Sequence, residues 1–432
     1  MRSTALACLL GSWDELPWDW GRSVSAPDAP IWALRPGCLF LDDRGFVDDA
    51  DVIVQGAQIQ QVVPRGDLPA SIRLIEADGA TLIPGFFDSH VHLTFSADAE
   101  VVEHLLNDSP ERQVERAVSN ARAALLRGVT TLADCGGRTE LVLQARDRLD
   151  RQHQAAPRLL VSGAPITAVN GHCHWLGGTV RDLQEARDAM EQLLEAGVDF
   201  IKLMLTGGNL TAGSDPRVHQ FDDEFLDQIA LACHQRGVPL VVHVHTEAAV
   251  RRAGQVRATI AAHGTCMQPD GTINVSQETL AALSAGGTAV DATITVGART
   301  EFPGATANSL ARHGQRRDML PVFGQMASMG IPVLSGTDAG VPGVEHGAIA
   351  DAIAALITEV GMTTESALRS GTSLPARAFG LDRVTGSLDA GLDADLILLD
   401  GDPRVDVQAL NRPLQVWRAG RLVVSDGRLV GA

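Results

Sequence analysis

Several apolar segments of the chain end in side chains that are good metal ligands. The candidate side chains are His90, His92, Lys202, His243, His263 and Asp338. Imidazole nitrogen and carboxylate oxygen bind zinc and related divalent ions well. The set therefore predicts metal-assisted chemistry, provided that the fold brings these positions together.

The first of these segments reads PGFFDSHVH at residues 84–92. Residues two apart in a strand point to the same side, so His90 and His92 can bind one ion together. A lone H-x-H pair is a weak signal, but the Pro-Gly-x-x-Asp sequence before it favours a metal site.

Lys202 lies within the apolar segment FIKLML. Burying an ammonium group is unfavourable, so a buried lysine needs a special environment. One solution is a neutral amine, which reacts with carbon dioxide to give a carbamate whose two oxygens bridge two metals. The alternative is a lysine that reaches solvent or pairs with a carboxylate.

The middle of the chain alternates between predicted strands and helices. Apolar strand-like runs occur at 81–83, 129–133, 159–162, 200–205, 240–245, 259–262, 289–295 and 333–335. Helical segments such as 111–127, 181–196 and 222–236 lie between them. This alternation predicts βαβ units that close into a (β/α)8 barrel. Catalytic side chains of such barrels lie at the C-terminal strand ends, where the candidate ligands are.

Both ends of the chain read as short strands separated by Gly and Asp. The sequence therefore predicts an α/β fold in three parts. These are an irregular extension at 1–30, a small β-sandwich domain from 31–82 and 385–432, and a TIM-like (β/α)8 hydrolase barrel at 83–384.

With this order of motifs, the chain resembles the amidohydrolase superfamily over about residues 32–425. The KLMLTGG and GTDAG segments are most similar to the prolidase-like, imidazolonepropionase-related branch, which includes Xaa-Pro dipeptidases and N-acyl-amino-acid and carbamate hydrolases. The resemblance implies two divalent ions, with zinc expected and manganese, iron and cobalt left open. It implies His90, His92 and Asp338 on one ion, His243 and His263 on the other, and carboxylated Lys202 as the bridge.

The resemblance also implies substrate contacts. His172, in the segment NGHCHWLGG, is expected to contact a substrate carbonyl or oxyanion, and His245 stands where relatives carry a substrate-contacting side chain. The chain has no tyrosine, which some relatives use there to hold a substrate carboxylate. Arg299, in the long predicted loop 296–318, is a candidate for that task, with a solvated basic helix as the alternative.

The expected reaction is hydrolysis of an amide-type C–N bond, as in an N-acyl amino acid or an Xaa-Pro-like dipeptide. Metal-activated hydroxide attacks, and Asp338 acts as general base and then general acid. Alternatives are a carbamate, urea or lactone hydrolase on the same metals, a mononuclear deaminase, or a non-catalytic scaffold of the same fold. A deaminase usually carries Glu three residues after the strand-five His, whereas Thr246 stands there.

Composition limits the partners. The formal charge of −18 disfavours binding to nucleic acid. No apolar run is long enough to span a membrane, and the six cysteines form no C-x-x-C pair. We therefore expect a cytoplasmic enzyme that acts on a small molecule. The family resemblance implies a homo-oligomer, because members of that family often form symmetric assemblies.

Overall fold

The computed structural model describes residues 29–151, 155–298 and 307–430 of the 432-residue chain. For 307–314 it describes the backbone alone. Almost all of the predicted extension at 1–30 and the candidate Arg299 lie outside the described residues. The division into 1–30, 31–82 with 385–432, and 83–384 stays a prediction.

The N-terminal strands belong to one large sheet. They are β1 (Ile31–Leu41), β2 (Gly45–Asp48), β3 (Ala50–Gln55), β4 (Gln58–Pro64) and β5 (Arg73–Pro84). Burial along β4 does not alternate strictly: Ile59 packs into one apolar cluster with Val52, and Val63 packs into another with Ala33 and Ile53.

The middle of the chain forms eight parallel strands, and the candidate ligands lie in or after five of them. They are β6 (Phe86–Val91), β7 (Val129–Asp134), β8 (Arg158–Val161), β11 (Ile201–Met204), β12 (Leu240–Thr246), β13 (Ile260–Met267), β14 (Ala289–Asp291) and β15 (Val333–Leu334). Between β8 and β11 a short parallel pair is formed by β9 (Thr167–Ala168) and β10 (Thr179–Val180).

These strands form the predicted (β/α)8 barrel. One ladder runs β6-β7-β8 and another runs from β11 to β15. Isolated bridges join the two ladders, Ile166 to Leu203 on one side and Val91 to Ala339 on the other. All these pairs are parallel, so the C-terminal ends of the strands meet at one mouth.

Four C-terminal strands return to the N-terminal sheet. They are β16 (Leu396–Leu399), β17 (Pro413–Arg418), β18 (Arg421–Ser425) and β19 (Arg428–Leu429). β16 pairs antiparallel with β5, which completes one nine-stranded sheet. Both chain ends contribute strands to it, as predicted, but the strands belong to a single sheet where a β-sandwich was predicted. Its own core includes Leu39, Leu82 and Trp417.

Helices pack around the barrel strands. They are α1 (Val101–Asn107), α2 (Pro110–Leu126), α3 (Thr139–Arg151), α4 (Leu183–Ala196), α5 (Asp223–Arg236), α6 (Glu247–Gln255), α7 (Gln277–Gly286), α8 (Ala307–Ser328), α9 (Ile349–Ala355), α10 (Thr364–Ser370) and α11 (Ser373–Ala378). Short 3-10 turns occupy His174–Leu176 and Val407–Asn411, and a π-helical turn occupies Leu356–Val360. Among the described helices, none is long and apolar enough to cross a bilayer.

The helix boundaries follow local sequence signals. α4 begins after Asp182, whose side chain accepts a hydrogen bond from the Glu185 amide, and it ends at Gly197 with a φ of 89°. The sequence predicted a loop at 296–318 after strand seven, with a basic helix as the alternative. The loop prediction was wrong in extent, since α8 begins at Ala307. Residues of α8 therefore line part of the barrel mouth.

Candidate metal centre

The barrel mouth gathers all six predicted ligands into one buried pocket. His92 and Asp338 follow the ends of β6 and β15, and the other four lie within β6, β11, β12 and β13 with side chains that line the same pocket. Each is also buried, with exposed fractions of 8% or less. The set, here called the mouth cluster, consists of His90, His92, Lys202, His243, His263 and Asp338.

His90, His92 and Asp338 form the first candidate metal-binding group. The Asp338 Oδ1 atom lies 3.2 Å from His92 Nε2 and 3.6 Å from His90 Nε2. The other ring nitrogen of His92, Nδ1, lies 2.9 Å from the Gly136 carbonyl oxygen. That contact orients the ring so that Nε2 faces Asp338, as metal-binding imidazoles are usually oriented.

His243, His263 and His245 form the second candidate group. His243 Nδ1 and His263 Nε2 are 2.9 Å apart, so the two rings converge on one point. Their remaining nitrogens contact protein oxygens, His243 Nε2 at 3.0 Å from Gly207 O and His263 Nδ1 at 3.1 Å from Thr293 Oγ1. The membership of His245 in this group is an addition, since the sequence placed it only at the substrate.

The backbone at this mouth adopts unusual conformations. His263 and Asp338 have φ values of 69° and 59°, in the left-handed region that side chains other than Gly rarely adopt. The Asp338 amide donates to the His90 carbonyl oxygen at 2.7 Å. Strained residues of this kind persist where the surroundings hold them, and they concentrate at functional sites.

Lys202 connects the two groups. Its Nζ atom lies 3.3 Å from His90 Nε2, and its charge also acts on His243 and His263. The side chain is only 1% exposed, so the alternative of a lysine that reaches solvent is wrong. It is moreover the only lysine in the chain, because every other one of the 35 Lys and Arg residues is arginine.

The protonation states suit cation binding. Burial, together with the charge of Lys202, lowers the pKa of His90 well below its ordinary value. Burial also lowers the pKa values of His243 and His263. Burial alone would raise the pKa of Asp338, but the hydrogen bond from His92 and the nearby His263 hold it well below its usual range. Neutral imidazole and ionised carboxylate are the forms that bind metals.

His90 Nδ1 and Asp291 Oδ1 are buried atoms that have no hydrogen-bond partner among the described residues. The other Asp291 oxygen lies 4.0 Å from His90 Nδ1 and accepts a hydrogen bond from Ser89 Oγ at 2.7 Å. Sequence reasoning missed Asp291 because it extended strand seven to residue 295, whereas β14 ends at Asp291.

The pocket beyond the metal candidates holds the predicted substrate contacts. His172 and His245 both line it, and Arg299 lies outside the described residues. Burial lowers the pKa of His172 to about 3, so this imidazole is neutral at physiological pH. Cys173 also lines the pocket, but burial raises the pKa of its thiol to about 12, which is unsuitable for a nucleophilic thiolate.

The pocket opens at the barrel mouth and is lined by both apolar and polar side chains. Small-molecule sites usually combine such a concave space with a few converging polar groups. Nitrogen and oxygen donors in two adjacent groups fit one or two divalent cations at its floor.

Comparisons with known proteins agree with this geometry. The amidohydrolase family model matches residues 81–423. The chain is 23% identical to ochratoxinase from Aspergillus niger over 94% of this chain and 89% of that protein. It is 27% identical to imidazolonepropionase from Micrococcus luteus over 89% of this chain and 96% of that protein. A solved Xaa-Pro dipeptidase with bound methionine has a TM-score of 0.80 at 23% identity, covering 91% of this chain and 99% of that one. Because the family model spans most of the sequence, this chain is a hydrolase that belongs to the amidohydrolase family.

Proposed function

We propose that the chain hydrolyses an amide-type C–N bond of a small molecule, using two divalent metal ions held by the mouth cluster. The observation that carries this proposal is the convergence of two ligand groups on one buried lysine. Zinc is the expected metal, since imidazole and carboxylate donors suit it.

In this proposal His90, His92 and Asp338 would hold one ion, and His243 and His263 would hold the other. Lys202, as a carbamate, would supply ligand oxygens to the same centre. The arginine-only composition elsewhere supports this role, because a guanidinium keeps its proton whereas an amine can lose it and react with carbon dioxide. When bound, the ions would supply a water of lowered pKa and positive charge near the developing oxyanion.

The proton transfers are assigned to Asp338. Its depressed pKa keeps the carboxylate ionised at neutral pH, so it is ready to accept the proton of the attacking water. It then delivers that proton to the leaving nitrogen, as general base followed by general acid. We assign His172, neutral and pocket-facing, to donate a hydrogen bond to the substrate carbonyl oxygen.

The names of similar proteins support the proposed substrate class. Ochratoxinase and Xaa-Pro dipeptidase are the names of two of the similar proteins, and both fit hydrolysis of an amide bond. An N-acyl amino acid or an Xaa-Pro-like dipeptide is the substrate that the sequence predicts. A carbamate or urea would use the same groups, because each presents a carbonyl next to a leaving heteroatom.

The deaminase alternative is disfavoured by one side chain. Glu247, the nearest carboxylate after the strand-five histidines, accepts hydrogen bonds from Ser276 Oγ at 2.5 Å and from Thr279. It therefore holds the start of α7 and is not among the residues that line the pocket. Zinc deaminases of nucleobases use a glutamate that is not a metal ligand as general acid and base, and no glutamate is among the described residues that line this pocket.

The experiment is metal loading followed by carbamate detection. We expect about two ions per chain after zinc loading in bicarbonate, with hydrolysis of amide substrates lost on chelation and restored by metal. With ¹³C-bicarbonate, NMR should show one lysine carbamate signal that is absent from a Lys202→Ala variant. Two ions without the carbamate signal would reject the bridge, and no bound metal would reject the whole proposal.

A further inference from the structure

His172, the side chain assigned to the substrate carbonyl, lies in a turn with unusual backbone conformations. Asn170 and Cys173 have φ values of 59° and 56°, in the left-handed region that side chains other than Gly rarely adopt. Such conformations persist where neighbouring groups hold them in place. The position of the imidazole therefore depends on the side chains that contact residues 170–173, here called the His172 turn.

Three side chains bond to the backbone of the His172 turn. Gln220 Oε1 accepts a hydrogen bond from the His172 amide at 2.6 Å, and Thr211 Oγ1 accepts one from the Cys173 amide at 2.8 Å. Thr167 Oγ1 donates to the His172 carbonyl oxygen at 2.8 Å. The backbone groups on both sides of the His172 side chain are therefore bonded within the protein.

Gln220 also contacts the strand that carries Lys202. Its Nε2 atom donates to the Met204 carbonyl oxygen at 2.6 Å and to the Thr206 carbonyl oxygen at 3.2 Å. Met204 is the last residue of β11. An amide side chain offers one acceptor oxygen and two N–H donors, and Gln220 uses both kinds of group. A single side chain therefore joins the His172 turn to the end of β11.

The imidazole of His172 packs closely against the segment that follows β11. A β-carbon placed on Gly208 would lie 2.5 Å from His172 Nε2 and 2.6 Å from Cε1, so the ring occupies space that the glycine leaves free. The Gly207 carbonyl oxygen lies 3.0 Å from His243 Nε2, and the ring centroids of His172 and His243 are 4.9 Å apart. A shift of the His172 turn relative to β11 would therefore move His172 relative to a proposed metal ligand.

We infer that Gln220 is a positioning residue for the hydrolysis, which fixes His172 at the substrate carbonyl by joining the His172 turn to β11. Gln220 is not among the described residues that line the pocket, so its effect on the reaction passes through His172. The inference rests on the proposed function, which assigns His172 to the substrate. Loss of the Gln220 contacts should lower catalysis and leave metal binding intact.

The principal test is Gln220→Met, which keeps a side chain of similar length and removes the acceptor and both donors. We expect kcat/KM to fall by about 10–100-fold, because misplacing a catalytic group by about 1 Å can have an effect of that size. The kinetics use the zinc-loaded enzyme with N-acetyl-L-phenylalanine, L-alanyl-L-proline and acetanilide. Bound zinc per chain, measured in parallel, should equal that of the wild type.

A double-mutant cycle separates positioning from a general structural role. Adding Gln220→Met to His172→Ala should change kcat/KM by less than about twofold, because the group that Gln220 positions is already absent. A purely structural role would instead multiply the two losses. Thr211→Val is a milder variant of the same kind, for use if Gln220→Met folds poorly. Its loss, of up to about tenfold, should also disappear in the His172→Ala background.

Gln113→Met is the matched control. The buried Gln113 Nε2 also donates to two backbone carbonyl oxygens, those of Leu105 at 3.2 Å and Asp108 at 3.0 Å. These contacts lie at the start of α2, outside the residues that line the pocket. The variant should lower the free energy of unfolding in urea, while kcat/KM per folded molecule stays within about twofold of the wild type.

The outcomes distinguish this inference from the proposed function. Losses that multiply in the double variant, or a loss of zinc from Gln220→Met, would overturn the inference and leave amide hydrolysis standing. Full activity of Gln220→Met or of His172→Ala would overturn it as well. No hydrolysis of any of the three substrates by the zinc-loaded wild type would overturn the proposed function together with the inference built on it.

Discussion

The barrel carries a buried cluster of charged side chains at each end of its strands. The one at the N-terminal end, here called the base cluster, consists of Arg158, Asp393, Asp395 and Arg418. Arg158 donates to Asp393 at 2.7 Å and to Asp395 at 3.1 Å. Asp395 also accepts from Thr385 Oγ1 at 2.8 Å and from the Ala419 amide at 2.7 Å.

The mouth cluster differs from the base cluster in the kinds of atoms that meet. In the base cluster both carboxylates accept hydrogen bonds from donors within the protein. In the mouth cluster nitrogen faces nitrogen, as between His243 and His263, and Lys202 Nζ faces a ring nitrogen of His90. Buried charges that satisfy each other hold a fold together, whereas converging imidazole nitrogens are an arrangement that a divalent cation would bind. We therefore expect the base cluster to support the fold and the mouth cluster to support the proposed chemistry.

The largest expected effect comes from Lys202→Arg. This variant keeps a cation in the pocket, so it would preserve a simple ion pair, but a guanidinium cannot form the carbamate. We expect kcat/KM to fall by at least about 10³-fold and the bound metal to fall below two ions per chain. Metal analysis and steady-state kinetics check both, and wild-type activity with full metal content would contradict the bridge.

Asp338→Asn tests the proton transfer with the ligand shape retained. The amide oxygen can still contact a cation, but it is a very weak base. We expect kcat to fall by about 10²–10⁴-fold while bound metal is largely retained. The measurement is kcat on a substrate with a good leaving group and on one with a poor leaving group. The loss should be larger for the poor leaving group, which depends most on proton delivery, and equal losses would contradict the role as acid.

Arg158→Met tests whether the base cluster stabilises the fold. It leaves Asp393 and Asp395 buried with Arg418 as the remaining guanidinium. We expect the free energy of unfolding to fall by about 3–5 kcal/mol while kcat per folded molecule is unchanged. Urea unfolding and active-site-normalised kinetics measure the two effects. A loss of bound metal with unchanged stability would contradict the division between the clusters.

The smallest effect is expected from Asp291→Asn, behind His90. Its carboxylate lies 4.0 Å from the unpartnered His90 Nδ1, where it can orient the ring and make the imidazole a stronger ligand. We expect metal affinity to fall by about 10–100-fold. Competition with a chelator measures it, and the matched control is Asp88→Asn, a buried acid that contacts Thr337 and not an imidazole nitrogen. Equal affinity in both variants would contradict the positioning role.

Sequence reasoning was most successful for residues whose type alone, in or after a predicted strand, indicates metal chemistry. The H-x-H pair, Lys202 and Asp338 could be located because strand alternation puts them at the barrel mouth, and the fold confirms that placement. Asp291 could not be found in this way. Its importance depends on which atoms approach each other across segments far apart in the chain, and on where β14 ends.

The solitary lysine has a practical consequence. A protease specific for lysine has one place to cut this chain, and that bond lies inside a barrel strand with its side chain hidden from solvent. The native chain should therefore resist such an enzyme, and cleavage would require opening of the barrel. Each molecule that opens would yield the same two fragments, so a gel would count unfolding events directly and without any label.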